Sequence, residues 1–162
     1  MTSFLGQHQN RLDAKGRVSV PSAYRSVLKE LTGSSGMILL PSFTHACIEA
    51  WPTPRFNELQ NSLNALDALS AEFEYLATAY FGNACPVEAD KDGRILLPDL
   101  LLEHAGLSDA VTFMGIGPTF QIWEPAAAVA RVAEARAKAK ERQSLLPAVA
   151  ATPVIIGRAA GA

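Results

Sequence analysis

The chain has 162 residues, of which 49% are apolar and 19% charged, with 11 glycines and 10 prolines. That is one globular domain's worth, or two very small ones, and it excludes a disordered, low-complexity or collagen-like chain. Two cysteines, Cys47 and Cys85, lack C-x-x-C spacing and suit a reducing compartment rather than a disulfide framework. No apolar run approaches the roughly eighteen residues of a membrane span. The first residues carry Arg11, Asp13, Lys15 and Arg17 instead of an apolar signal core, so a soluble, cytoplasmic protein is expected. The net charge of −2 argues against a nucleic-acid partner, but the charge is segregated. Residues 1–30 set Arg11, Lys15, Arg17, Arg25 and Lys29 against Asp13 and Glu30, residues 31–125 are strongly acidic, and residues 126–162 are basic again. Such segregation bears on partners more than the total does.

In chain order, the first signal is Asp13-Ala-Lys-Gly-Arg-Val-Ser-Val-Pro21, and it returns as Asp90-Lys-Asp-Gly-Arg-Ile-Leu-Leu-Pro98 at an offset of 77 residues. In each copy Asp-x-x-Gly predicts a turn, with Gly16 or Gly93 free to take positive φ. The turn joins two short strands, one ending near Leu12 or Ala89, the other running from Arg17 or Arg94 to the halting Pro21 or Pro98. Ser22 or Asp99 is expected to cap a helix, Ser22–Leu31 in the first copy and Asp99–Ala105 in the second. Apolar strands Met37–Leu40 and Val111–Met114 follow, then Trp-bearing strands Ala46–Trp51 and Thr119–Trp123. One such unit would leave sheet edges exposed and bury too little to be stable, so each copy is expected to complete the other's sheet.

Between the copies, Thr53 with Pro54 opens a helical insert. Its apolar stripe of Phe56, Leu59, Leu63, Leu66, Leu69, Phe73, Leu76 and Tyr80 reads as core, and Ser70 as a second cap. The segments read as repeat 1 (6–53), insert (54–82), repeat 2 (83–126), an Ala-rich basic helix (127–143) and a disordered tail (144–162).

No catalytic constellation emerges: His8, His45 and His104 are scattered, and no nucleophile motif or phosphate-binding Gly loop is present. An enzyme, a cofactor and a metal are therefore not expected. Glu88, Asp90, Asp92, Gly93 and Asp99 mimic a calcium loop, but Pro86 breaks the entering helix, Leu96 holds the ninth position, and the first copy lacks the acids. The paired Asp and Arg of each motif admit two readings. The arginine either braces its own turn or presents its guanidinium fork to phosphates or guanine edges.

The doubled motif Asp13–Pro21 and Asp90–Pro98, with Trp51 and Phe120-Gln121-Ile122-Trp123, resembles the MraZ family of bacterial regulators, over residues 4–125. The resemblance implies an α+β fold in which two tandem AbrB-like hairpin and helix repeats form an intrachain swapped-hairpin β-barrel, with the helical insert and a C-terminal helix. It also implies a ring-shaped homo-oligomer, an octamer or a dodecamer, bound to direct repeats in double-stranded promoter DNA on the nucleoid. The implied role is repression of the cell-division and cell-wall operon that holds its own gene. The chain departs from the family pattern in having no arginine over Glu72–Phe81 and in having Leu101-Leu102 where the family has Leu-Arg. Arg11, Lys15 and Arg17 of the first copy are therefore expected to face DNA, with Arg94 also among the DNA-binding candidates, while the second copy, with Glu88, Asp90 and Asp92 around Arg94, is expected to be largely structural or inter-subunit. Asp13, Gly16, Asp90 and Gly93 are expected to shape the turns or oligomer contacts. The alternatives are an antitoxin-like protein using Ala126–Gln143 to hold a protein partner, and an assembly scaffold.

Overall fold

A computed structural model describes residues 2–147, and the remainder of the expected tail, 148–162, lies outside the described residues. The first repeat supplies β1 (Gln7–Arg11), β2 (Arg17–Ser19), α1 (Ser22–Thr32), β3 (Gly36–Pro41) and β4 (Ile48–Pro52). The insert supplies α2 (Thr53–Asn64) and α3 (Ala71–Phe81). The second repeat supplies β5 (Cys85–Glu88), β6 (Arg94–Leu96), α4 (Asp99–Ala105), β7 (Ala110–Gly115) and β8 (Phe120–Trp123), and α5 (Pro125–Arg142) with a short 3-10 turn (Gln143–Leu145) follows. The fold is thus α+β, with antiparallel pairing throughout.

The repeats exchange strands. A six-stranded sheet runs β1-β7-β8-β4-β3-β5, and β2 pairs with β6 in a separate two-stranded ribbon. Exchanging the repeats reproduces the sheet order read backwards, so the pairing has a pseudo-two-fold. Its centres are Val18 opposite Ile95 in the ribbon and Glu49 opposite Gln121 in the sheet. Side-chain detail follows the same symmetry: the Trp51 indole N–H donates to Glu49 at 3.2 Å and that of Trp123 to Gln121 at 2.9 Å. These pairings constitute a sheet and a ribbon; barrel closure is not among them.

Alternation puts Val18, Val20, Leu39, Ile95, Leu97, Val111 and Phe113 inward, where they join α1 residues Val27 and Leu28 and α4 residues Leu101 and Ala105 in one core. Tyr24 of α1 is central to it. Its ring lies 4.9 Å from that of Phe120 and 5.4 Å, edge-on, from that of Phe4. Its hydroxyl donates to the Gly6 carbonyl at 2.7 Å, and burial pushes the phenol up to about 12.

Three helix starts differ from expectation. Ser22, Asp99 and Thr53 do not cap; the caps are Pro21, Pro98 and Pro52, with no side-chain hydrogen bond. Each proline stands in extended backbone at a strand's end, so the chain turns directly into the helix and the polar residue becomes the first helical position. Ser70 does cap α3, its hydroxyl accepting from the Phe73 N–H at 3.1 Å. The insert stripe is not core: Leu63 is buried, but α3 buries no residue, and Leu69 is 95% exposed. Residues 144 and 145, expected in the disordered tail, lie in the 3-10 turn that follows α5.

The chain divides into two compact units after Pro125. Within the second, Arg131 pairs with Glu134 at 2.8 Å along α5, an exposed pairing of small energetic weight. No helix among the described residues is long and apolar enough to cross a membrane.

The ribbon gives a paired test of the core. Ile95 is buried at its centre, whereas Leu96, the next residue, faces out. Ile95→Ala should cost about 2–5 kcal/mol, and Leu96→Ala less than about 0.5 kcal/mol, as read by urea denaturation. Equal losses would contradict the observed facing of this strand.

Candidate nucleic-acid interface

The repeated motif builds the same turn twice. Asp13 Oδ1 accepts the N–H groups of Lys15 at 2.9 Å and Arg17 at 2.8 Å, while Oδ2 accepts Arg17 Nε at 2.8 Å. In the second copy Asp90 Oδ1 accepts the N–H groups of Asp92 at 2.8 Å and Arg94 at 3.0 Å. Gly16 and Gly93 take φ of 84° and 80°, which a side chain would resist. Each glycine also serves the opposite repeat: the Gly16 carbonyl accepts the Leu97 N–H at 2.8 Å, and that of Gly93 accepts the Val20 N–H at 2.9 Å. The turns are thereby tied to the two ends of the ribbon.

With Val18 and Ile95 turned inward, the ribbon's outer face consists of Arg17 and Ser19 from β2 and Arg94 and Leu96 from β6. Arg17 lies opposite Leu96 and Arg94 opposite Ser19, so the arginines stand on a diagonal, roughly 7–8 Å apart at the backbone by the usual sheet spacing. Lys15 is exposed in the first turn beside Arg17. Arg11 is also exposed, but it belongs to β1 at the edge of the six-stranded sheet and is not part of the ribbon.

The two arginines are braced differently. Arg17 is fixed through Nε, which leaves the η-nitrogen edge of the fork for a planar acceptor. Arg94 Nε lies 3.5 Å from Asp90, and its Nη2 is shared with Asp92 at 3.5 Å. Asp92 occupies the position of Lys15 in the first copy, a charge reversal beside equivalent arginines.

Two further residues enter the site. The Arg25 side chain of α1 lies across Gly93, so close that a Cβ there would sit 2.8 Å from the guanidinium carbon. Its Nε donates to the Val20 carbonyl at 3.1 Å. Leu102 of α4 holds the matching place over Gly16, where a Cβ would lie 3.4 Å from the Leu102 side chain. The 77-residue offset that aligns the turns also aligns Arg25 with Leu102, but the offset gives no sign that each helix attends the other repeat's turn. Among the described residues no group of three or more His, Cys, Asp or Glu is arranged to hold a metal ion.

The backbone N–H of Arg17, then its guanidinium, holds the Asp13 carboxyl below the usual aspartate range, and the Arg94 N–H does the same for Asp90. A carboxyl lowered in the folded state contributes stability above its unfolded pKa of about 3.9 and loses it as pH falls through the folded value. The urea midpoint should therefore fall on acidification below about pH 4. Asp13→Asn should lower it at neutral pH and flatten part of that acid limb. An unchanged acid limb in Asp13→Asn would remove this carboxylate from the account.

Comparison with known proteins agrees with this architecture. Residues 3–75 and 80–145 match the family described as "MraZ protein, putative antitoxin-like". A protein of Gluconacetobacter diazotrophicus named Transcriptional regulator MraZ is 55% identical over 150 residues, covering 91% of this chain and 94% of that protein. Those of the same name from Gluconobacter oxydans and Pelagibacter ubique are 48% and 40% identical, covering 86% and 88% of this chain and 87% and 92% of their own lengths. With both repeats matched and relatives aligned over nearly their full lengths, the chain belongs to the MraZ family.

Proposed function

We propose that this chain is a transcriptional regulator that binds specific double-stranded DNA through the β2–β6 ribbon, and that it represses the operon containing its own gene by covering direct repeats in the promoter. One observation carries the reading. Two arginines, each within ion-pair distance of an aspartate of its own turn, share the outer face of an exposed two-stranded ribbon. Such a ribbon fits the major groove of B-DNA, and an arginine fork matches guanine O6 and N7. The names of the relatives point the same way. Arg17, with Lys15 beside it and its η-nitrogens unshared among the described residues, is the principal contact. Arg94, which shares Nη2 with Asp92, is the weaker one, and Arg11 reaches the backbone from the neighbouring strand. Asp13, Gly16, Asp90 and Gly93 set the turns.

A single ribbon offers few cationic contacts, so affinity calls for several chains on one promoter. The exposed Leu66, Leu69, Tyr75 and Leu76 of the insert supply an apolar surface for joining copies into a ring. Linked ribbons on spaced repeats then gain ~10²–10⁴ in avidity. The basic last turns of α5, where Arg136 and Lys140 with Leu145 and Leu146 beyond them line a shallow groove of about 620 Å³, favour a second reading in which this unit holds a protein partner.

Fluorescence anisotropy should show the intact protein preferring the duplex upstream of its own gene over a scrambled one, more weakly as salt rises. Arg17→Ala should cost about tenfold or more and Arg94→Ala less. Equal binding to both duplexes, or an Arg17→Ala protein that binds like the parent, would overturn the reading. Leu69→Glu should lower the mass seen by light scattering and weaken promoter binding with it. An unchanged mass would remove the insert from the assembly surface.

A further inference from the structure

Around the ribbon the pseudo-two-fold is broken at several pairs of equivalent positions. Arg17 matches Arg94 and Val18 matches Ile95, but Ser19 is replaced by Leu96, Ala14 by Lys91, Lys15 by Asp92, and Arg25 by Leu102. These differences border the exposed face. Leu96 is the one a core argument does not explain. It is 57% exposed while its neighbours Ile95 and Leu97 are buried, and it lies directly opposite Arg17 and beside Arg94 on the same strand face.

We infer that Leu96 is a base-reading residue and that, with Ser19, it gives each chain a fixed polarity on DNA. The Arg17–Leu96 end seats a guanine next to a thymine whose 5-methyl group packs on Leu96, and the Arg94–Ser19 end makes no such contact. The inference rests on the DNA-reading role proposed above and names the base that this face selects.

The chemistry is narrow. In the major groove the thymine methyl is the apolar feature that distinguishes one base pair from another, and an apolar side chain recognises it. Residues directly opposite across a ribbon are about 5 Å apart, near enough for Arg17 and Leu96 to meet adjacent base pairs. Ser19, the hydroxyl at the equivalent place, bonds either kind of base and selects weakly. The flanks differ too: Lys15 adjoins the Arg17 end, while Lys91, Asp92 and the guanidinium of Arg25 adjoin the Arg94 end. A ribbon turned end for end would set Ser19 against the methyl. Each repeat therefore admits one orientation, and a ring in which every chain faces the same way round requires repeats that run in the same direction.

The test replaces each thymine of the upstream duplex, one at a time, by deoxyuridine, which lacks only the 5-methyl group. Anisotropy is then measured with the parent protein, Leu96→Ala, and the double exchange Ser19→Leu/Leu96→Ser, all as full chains whose melting is checked. The parent should lose about fourfold at one thymine per repeat, the worth of one buried methyl. Leu96→Ala should bind the unmodified duplex about fourfold more weakly and lose nothing further at that thymine, and the double exchange should abolish sensitivity there. Parent protein that tolerates uracil everywhere while still preferring the native duplex would overturn the polarity and leave the regulator reading standing. Full uracil sensitivity retained in Leu96→Ala would do the same. No preference for the native duplex over a scrambled one would overturn both.

Discussion

The structure depends on a reciprocal exchange of backbone hydrogen bonds between the two motif turns. Gly16 and Gly93 each adopt a positive φ that other residues rarely take, and each then offers its carbonyl to the strand of the opposite repeat. From that exchange follow the β2–β6 ribbon, the inward placement of Val18 and Ile95, and the outward placement of both arginines. Because side chains alternate along a strand, a slip of one residue would bury the guanidinium groups and expose the core pair. Core packing and surface chemistry are therefore set by the same register.

The aspartates connect this scaffold to its chemistry. Asp13 and Asp90 close their turns through backbone N–H groups; Asp13 also holds Arg17 by a hydrogen bond through its remaining oxygen, whereas Arg94 Nε lies 3.5 Å from Asp90 and makes no hydrogen bond among the described residues. An arginine bound along one edge has already lost much of its rotamer freedom, so less is lost when its other edge meets a planar acceptor. The brace of Arg17 by Asp13 is a structural ion pair that leaves the far edge of the guanidinium outward, so bracing its own turn and offering its fork are not exclusive there. The second turn differs, because Asp92 draws on Arg94 in a way that Lys15 does not draw on Arg17.

Much of this was legible in the sequence. The 77-residue offset gave the repeats, the Asp-x-x-Gly turns and the prolines that end the strands, because glycine and proline act through local backbone sterics. Which strand pairs with which was legible only as the expectation that the copies complete each other, since hydrogen bonding across repeats leaves no local trace. Helix caps were misplaced at Ser22, Thr53 and Asp99 because a proline held in extended backbone supplied the start that a polar side chain was expected to give. The insert stripe was misread as core for another reason: helical periodicity reports that a face is apolar, not that it is covered within its own chain. Leu102 stood out as a departure from the family's Leu-Arg, but the contacts of Arg25 over Gly93 and Leu102 over Gly16 were hidden because they lie in the opposite repeat.

The interleaving also governs how the chain comes to be. β1 begins at Gln7 and finds its partner in Met114 and the residues before it, and β2 waits for Leu96. The first repeat therefore cannot be completed as it leaves the ribosome: β3 and β4 can pair with each other, but β1 and β2 stay unpaired until most of unit 1 has been made. Non-local pairing of this kind slows folding and leaves strand edges open to the wrong partner meanwhile. On a polysome many nascent chains carry the same half-finished repeat, and the β7 strand that β1 requires is chemically the same in every neighbour. The exchange that stabilises one finished molecule is equally available between two unfinished ones, so fidelity depends on the second repeat of the same chain arriving first.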